Sequence, residues 1–222
     1  MCGRYTLTAD GGAITEIFKV TEAVELSPRY NVAPTQEVAV VGRNHEGGRT
    51  LGTMRWGLIP SWAKDPSIGS RLINARSETV AEKPAFRASF KKRRCLVVAD
   101  GFYEWKKVGS AKQPYYIGLK GHPPFAIAGL WDRWRDKESG ETIRSCTLLT
   151  TGPNALTETI HDRMPVILHP EDYDRWLDPE FHDREALESC LRPYEADAME
   201  AYPVSTLVNN VRNDRPECIQ AL

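Results

Sequence analysis

The chain has 222 residues, 41% of them hydrophobic and 27% charged, which allows one domain with its own core and excludes a disordered polymer. No apolar run approaches the roughly 18 residues of a membrane span. The opening MCGRYTLTAD lacks the apolar stretch of a secretory signal, so a cytoplasmic, nucleoid-associated location and no membrane partner are expected. The net charge of −1 hides an asymmetry: residues 171–200 hold 11 Asp/Glu against 3 Arg, so the rest of the chain carries +7. Within that remainder, Arg87, Lys91, Lys92, Arg93 and Arg94 form a basic cluster, which permits a nucleic-acid partner without requiring one.

Ile14, Ile17 and Phe18 recur at helical spacing and predict a short early helix. Residues 36–43 and 50–56 read as strands joined by the turn-rich NHEGGR, a hairpin. Pro84 is placed to open a helix whose face includes Phe86 and Phe90. Strands then dominate, at 94–99, 102–105, 114–119, 125–131 and 143–151. Helices follow near 170–177 and 183–191, the first opened by Pro170 and the second capped by Asp183, and a last strand lies near 201–205. Many short strands with few helices between them predict an α+β fold: one domain over 1–222, with a mainly antiparallel, barrel-like sheet and peripheral helices.

The five cysteines are scattered, odd in number and without a CxxC pair, so neither a metal site, a cofactor nor a disulfide framework is indicated. Cys95 and Cys146 sit in apolar runs and read as buried. Cys2 differs, because an initiator methionine followed by a small residue is normally excised. Excision of Met1 would leave a free α-amine and a thiol on adjacent carbons, with reference pKa values of about 8 and about 8.5. Such a 1,2-aminothiol condenses with an aldehyde and closes a thiazolidine ring without any cofactor.

Four polar blocks interrupt apolar stretches: RYNVAPTQ (29–36), WGLIPSW (56–62), LINARSET (72–79) and IHDRMPVIL (160–168). In ADGFYEW (99–105), alternation puts Glu104 on the face of Phe102, opposite Tyr103 and Trp105. A carboxylate in such surroundings has its pKa raised by desolvation and suits proton transfer, although an ion pair with a nearby arginine is an equal reading. His161 is a candidate acid–base group or a packed histidine. Asn74 either orients a carbonyl or hydroxyl, or caps the segment that follows. Arg4, Arg76 and Arg163 flank these residues, and their planar forks suit phosphate.

Taken together and in this order, MCGRY, RYNVAPTQ, WGLIPSW, INARSET, ADGFYEWKK and IHDRMPVIL resemble the SOS-response-associated peptidase (SRAP) family, over nearly the whole chain. The resemblance implies an α+β domain that senses abasic sites in single-stranded DNA and bonds its N-terminal cysteine to the opened sugar, shielding the lesion. It implies lyase-type chemistry, and a proposed autopeptidase activity that exposes the cysteine. By position, Cys2 would be the nucleophile, Asn74 would hold the sugar, Glu104 would shuttle protons and His161 would assist ring opening and reversal. Arg4, Arg76 and Arg163 would grip phosphates, and Asn31, Pro34, Trp62 and Thr150 would line the DNA path. Many relatives carry a second aromatic after the residue matching Trp62; here it is Ala63, which weakens any aromatic wedge. A monomer acting on single-stranded DNA is expected. Two other readings stand beside this one: a thiol (auto)peptidase using Cys2, and a non-covalent reader of modified bases.

Overall fold

A computed structural model describes residues 2–22 and 25–222, so Met1 and its expected excision lie outside the described residues. The first third of the chain holds β1 (Tyr5–Leu7), α1 (Gly11–Phe18), β2 (Arg29–Val32), β3 (Glu37–Arg43), β4 (Arg49–Trp56) and β5 (Asn74–Arg76). The middle holds α2 (Arg87–Lys92), β6 (Arg94–Ala99), β7 (Gly101–Val108), β8 (Ala111–Leu119), β9 (Phe125–Arg135) and β10 (Thr142–Thr151). The last third holds β11 (Met164–Pro165), β12 (Ile167–Leu168), α3 (Tyr173–Leu177), α4 (Arg184–Ser189) and β13 (Met199–Pro203).

Two sheets share one core. In the larger, β10 pairs with both β4 and β9, so β3, β4, β6, β9 and β10 close into a five-stranded barrel, with β5 and β11 added along β10 and β12 along β9. The smaller sheet runs β13-β8-β7-β1-β2. The pairings are antiparallel except where β10 runs parallel to β4 and β5. The fold is thus a single α+β domain built on a barrel, as its strand-rich sequence predicts. Closure removes exposed sheet edges, and Cys95–Ala99 of β6 and Phe125–Leu130 of β9 read as continuous apolar runs because both of their faces are buried.

Helix α1 forms where predicted. Asp10 caps it by accepting from the Ala13 N–H at 2.9 Å, and Ile14 and Phe18 are buried. Phe18 stacks on Tyr173 of α3 with ring centroids 5.6 Å apart. Helix α2 starts at Arg87, three residues beyond Pro84, because residues 79–86 form successive turns that bury Val80 and Phe86. β13 ends at Pro203 rather than 205, because its ladder with β8 runs only from Met199–Leu119 to Pro203–Tyr115.

The basic cluster is only partly a surface. Arg94 is 4% exposed, and its guanidinium donates to the carbonyls of Phe90, Lys91, Trp176, Asp178 and Phe181. It fastens α2 to the end of α3. Arg93 pairs with Asp132 at 3.3 Å. Cys95 and Cys146 are buried, as expected. Among the described residues no helix is long and apolar enough to cross a membrane.

Candidate functional site

The N-terminal arm is held at both ends. β1 pairs with β7 through Tyr5–Phe102, and the Tyr103 N–H donates to the Arg4 carbonyl at 3.0 Å. Downstream, the buried Asp100 carboxylate accepts from Thr6 Oγ1 at 2.5 Å, Thr8 Oγ1 at 2.8 Å, the Ala9 N–H at 2.9 Å and the Thr8 N–H. With the strand locked in this register, Cys2 lies close enough to Glu104 of β7 for the carboxylate's charge to reach its thiol. The Cys2 residue is fully buried, and its carbonyl accepts from Asn74 Nδ2 at 2.8 Å. Asn74 Oδ1 is buried and has no hydrogen-bond partner among the described residues. Burial pushes the Cys2 thiol far above its ordinary value, and the charge of Glu104 adds to the shift. This corrects the expectation of a thiol with a reactive form at neutral pH: in this setting ionisation needs an adjacent base.

Strand alternation in β7 is as predicted. Phe102 joins the main core, while Tyr103 and Trp105 pack on the opposite face with Val204 and Val208. Glu104 is 3% exposed, and burial raises its pKa from 4.5 to about 7, with Asp162 contributing. Across the cleft, His161 Nε2 lies 3.7 Å from Glu104 Oε2. The Arg163 N–H donates to His161 Nδ1 at 3.0 Å, which places the proton of the neutral ring on Nε2, facing Glu104. Burial lowers the His161 pKa, opposed by the Asp162 carboxylate 3.0 Å from Nδ1. These groups open onto a cleft of about 540 Å³ lined by Glu104, Trp105, Lys112, His161 and Asn209.

The expected phosphate-binding residues divide. β5 runs parallel to β10 with Arg76 opposite Thr150, and Arg163 reaches the same place from the chain before β11. Arg163 grips Glu78 through both Nη atoms, at 2.5 and 3.0 Å, and donates to the Thr150 carbonyl at 2.6 Å. Arg76 is exposed and has no acidic group within salt-bridge distance among the described residues. Arg4 donates from Nη1 to Asn31 Oδ1 at 2.9 Å and the Val208 carbonyl at 2.6 Å, and from Nη2 to the Asn209 carbonyl at 3.3 Å.

Asn31 and Thr150, placed on the DNA path by the sequence reading, are buried at 0% and 1% exposure, so neither side chain offers a free surface in this conformation. Asn31 instead donates to the carbonyls of Val208, Asn210 and Asn213 at 3.2, 3.1 and 2.8 Å, tying down the C-terminal segment. Pro34 lies in a turn whose next residue, Thr35, is left-handed at φ 72°, a strained setting for a β-branched side chain, held by a Thr35 N–H bond to the Trp56 carbonyl. Trp62 is 61% exposed on a loop fixed by Ile59 N–H to Ser145 Oγ, Ser61 N–H to Asp132 and Trp134 Nε1 to the Ala63 carbonyl.

Lys112 and Asn209 complete the cleft and were not singled out from the sequence. Lys112 could have been found by pairing the strands across the VGSA turn. Asn209 could not, because it reaches Trp105 from 104 residues away.

A buried N-terminal cysteine set beside a raised glutamate, on a five-stranded barrel, defines a class of protein, and comparison with known proteins gives that class its family. The profile of the SOS response associated peptidase (SRAP) family matches residues 1–211, and the chain belongs to that family. It is 48% identical, over the full length of both chains, to the abasic site processing protein YoqW of Bacillus subtilis. It is 36% identical to the abasic site processing protein HMCES of Xenopus tropicalis, covering all of this chain and 78% of that one. A crystal structure of a protein from Bacteroides thetaiotaomicron superposes with a TM-score of 0.90 at 30% identity, covering both chains completely.

Proposed function

We propose that this protein traps abasic sites in single-stranded DNA as a thiazolidine on Cys2 after Met1 is removed, acting as a monomeric, lyase-type enzyme of the cytoplasm and nucleoid. The observation that carries the reading is the packing of Cys2 between Asn74, on its carbonyl, and Glu104, poised near pH 7. Relatives named for abasic site processing support it.

The Cys2 α-amine adds to the C1′ aldehyde of the opened sugar to give a carbinolamine. Protonated Glu104 delivers a proton to the departing hydroxyl, so water leaves and a protonated imine remains. Glu104, now a carboxylate, takes the thiol proton as sulfur attacks the carbon of the protonated imine, and the nitrogen is left as the neutral ring amine. This answers the raised thiol pKa, because the base that accepts the proton is the group whose charge already reaches it. His161, neutral with its proton on Nε2, donates a hydrogen bond to the sugar oxygen during ring opening and in reversal. The buried Asn74 Oδ1 accepts from a sugar hydroxyl. Arg76 and the exposed Trp62 meet the strand, while Arg4 and Arg163 shape the backbone that receives it.

A thiol peptidase is favoured less, because its thiolate–imidazolium pair requires a lowered cysteine and a raised histidine, and burial shifts both the other way here. An abasic oligonucleotide resolved on a denaturing gel tests the proposal. Wild-type protein should give a retarded band that Cys2→Ala and N-terminal acetylation both abolish. An undiminished band from either removes the aminothiol mechanism. A shift seen only on native gels favours the non-covalent reader.

A further inference from the structure

The cleft that holds Glu104 and His161 continues along the hairpin of β7 and β8, where nothing in the chemistry above requires it. Trp105 Nε1 donates to Asn209 Oδ1 at 2.8 Å. An indole nitrogen only donates, so this bond fixes the amide with its Nδ2 group turned away from Trp105. Asn209 is itself held, its carbonyl accepting from Arg4 Nη2 and the neighbouring Val208 carbonyl from Arg4 Nη1 and Asn31 Nδ2. The exposed amide therefore presents two N–H donors at the wall of the cleft with little freedom to turn.

Lys112 lines the same cleft, and its charge is felt at His161. In the β7–β8 ladder Lys112 stands directly opposite Lys107, next to the Trp105–Pro114 and Lys106–Gln113 pairs. Like charges directly opposite in an antiparallel pair are destabilising. Among the described residues no carboxylate lies within salt-bridge distance of Lys106, Lys107 or Lys112 to offset this. A repelling lysine pair beside an oriented amide and a half-buried indole is an arrangement that an anion relieves.

We infer that Lys112 and Asn209 Nδ2 form a phosphate subsite for the nucleotide adjacent to the lesion, with Trp105 as its apolar wall. The subsite rests on the abasic-site reading for its choice of ligand. It lies on the Trp105 side of Glu104, so it is separate from the group formed by Arg76 of β5, Thr150 of β10 and Arg163 before β11. It engages a backbone phosphate and no base edge, so its contribution is independent of sequence.

The test is the affinity of the full chain for an undamaged single-stranded oligonucleotide, measured by fluorescence anisotropy across a salt series. Lys112→Ala and Asn209→Asp should each weaken binding severalfold, and Lys112→Ala should make the log–log salt slope shallower by about 0.7, the value for one phosphate on a single strand. Lys120→Ala, which removes the same charge just past the far end of β8, about 26 Å away, should leave the slope unchanged. Unchanged affinity and slope in Lys112→Ala overturn the subsite even if Asn209→Asp fails to fold. Weaker binding with an unchanged slope also overturns it, because it points to base stacking. Failure of the wild-type protein to crosslink an abasic oligonucleotide would instead remove the covalent reading, leaving the slope to decide the subsite.

Discussion

In the proposed mechanism two demands meet at the Glu104 carboxyl group, which gives a proton as water leaves and takes one as the ring closes. A group with a pKa of about 7 holds both forms at neutral pH, and burial is the main cause of that value. Glu104→Gln keeps the shape and a hydrogen-bonding head group but transfers no proton. Single-turnover crosslinking should slow by ~10²–10⁴-fold, and the inflection near pH 7 in the wild-type profile should vanish. The same shift has a consequence for stability. A carboxyl group raised in the folded state opposes folding once it ionises, so its contribution is lost as pH rises from 4.5 to about 7. The melting temperature of the wild-type protein should fall across that window by more than that of Glu104→Gln. An identical pH dependence in both would make Glu104 a structural residue.

The face of Glu104 was legible in the sequence, because alternation in β7 is a local property, whereas the burial that raises the Cys2 thiol was not. Nor was the state of the arginines. Arg4 finds the Val208 carbonyl 204 residues away and Arg163 finds Glu78 85 residues away, so their charges look available in sequence and are engaged in space. Asn31 misleads for the same reason: its polar side chain is the hub of a segment near the far end of the chain.

Among the elements, β1 decides where Cys2 stands, and Asp100 holds β1 through Thr6 and Thr8. Behind Asp100, Tyr116 donates its hydroxyl to the Asp100 carbonyl at 3.0 Å and lies flat over Gly101. A Cβ at Gly101 would meet the Tyr116 ring at 2.2–2.4 Å, so the ring must move and take its hydrogen bond with it. Gly101→Ala should cost about 1–3 kcal/mol, the range for overpacked cores. That is a drop of several degrees in melting temperature by scanning calorimetry. Gly42→Ala, where nothing lies within 4 Å, should leave the melting temperature nearly unchanged. Equal melting temperatures for Gly101→Ala and wild type would show that Tyr116 does not brace this arm. Strands β1, β2 and β5 escaped the sequence reading because they are three or four residues long, too short for a period of two to show. They are stabilised by long-range ladders with β7 and β10, and they carry Asn31, Asn74 and Arg76 and lead in from Cys2 and Arg4.

For the whole molecule, the site draws on both sheets, with Glu104 in the smaller one and Asn74 on β5 of the larger. Cys2 arrives from the chain end, Glu104 from the hairpin of β7 and β8, Asn74 from β5, and His161 from the turn before β11. No two come from neighbouring stretches, so the arrangement depends on the fold being complete. The acid-rich segment 171–200, with α3 and α4, brings the net charge to −1 while the remainder stays basic.

Intact mass of the adduct formed with an abasic oligonucleotide tests the covalent account most directly. A thiazolidine on an exposed Cys2 predicts the mass of the chain without Met1, plus that of the oligonucleotide, less one water, with no reductant needed. An adduct that retains Met1, one that keeps the water, or one that forms only after reductive trapping would contradict it.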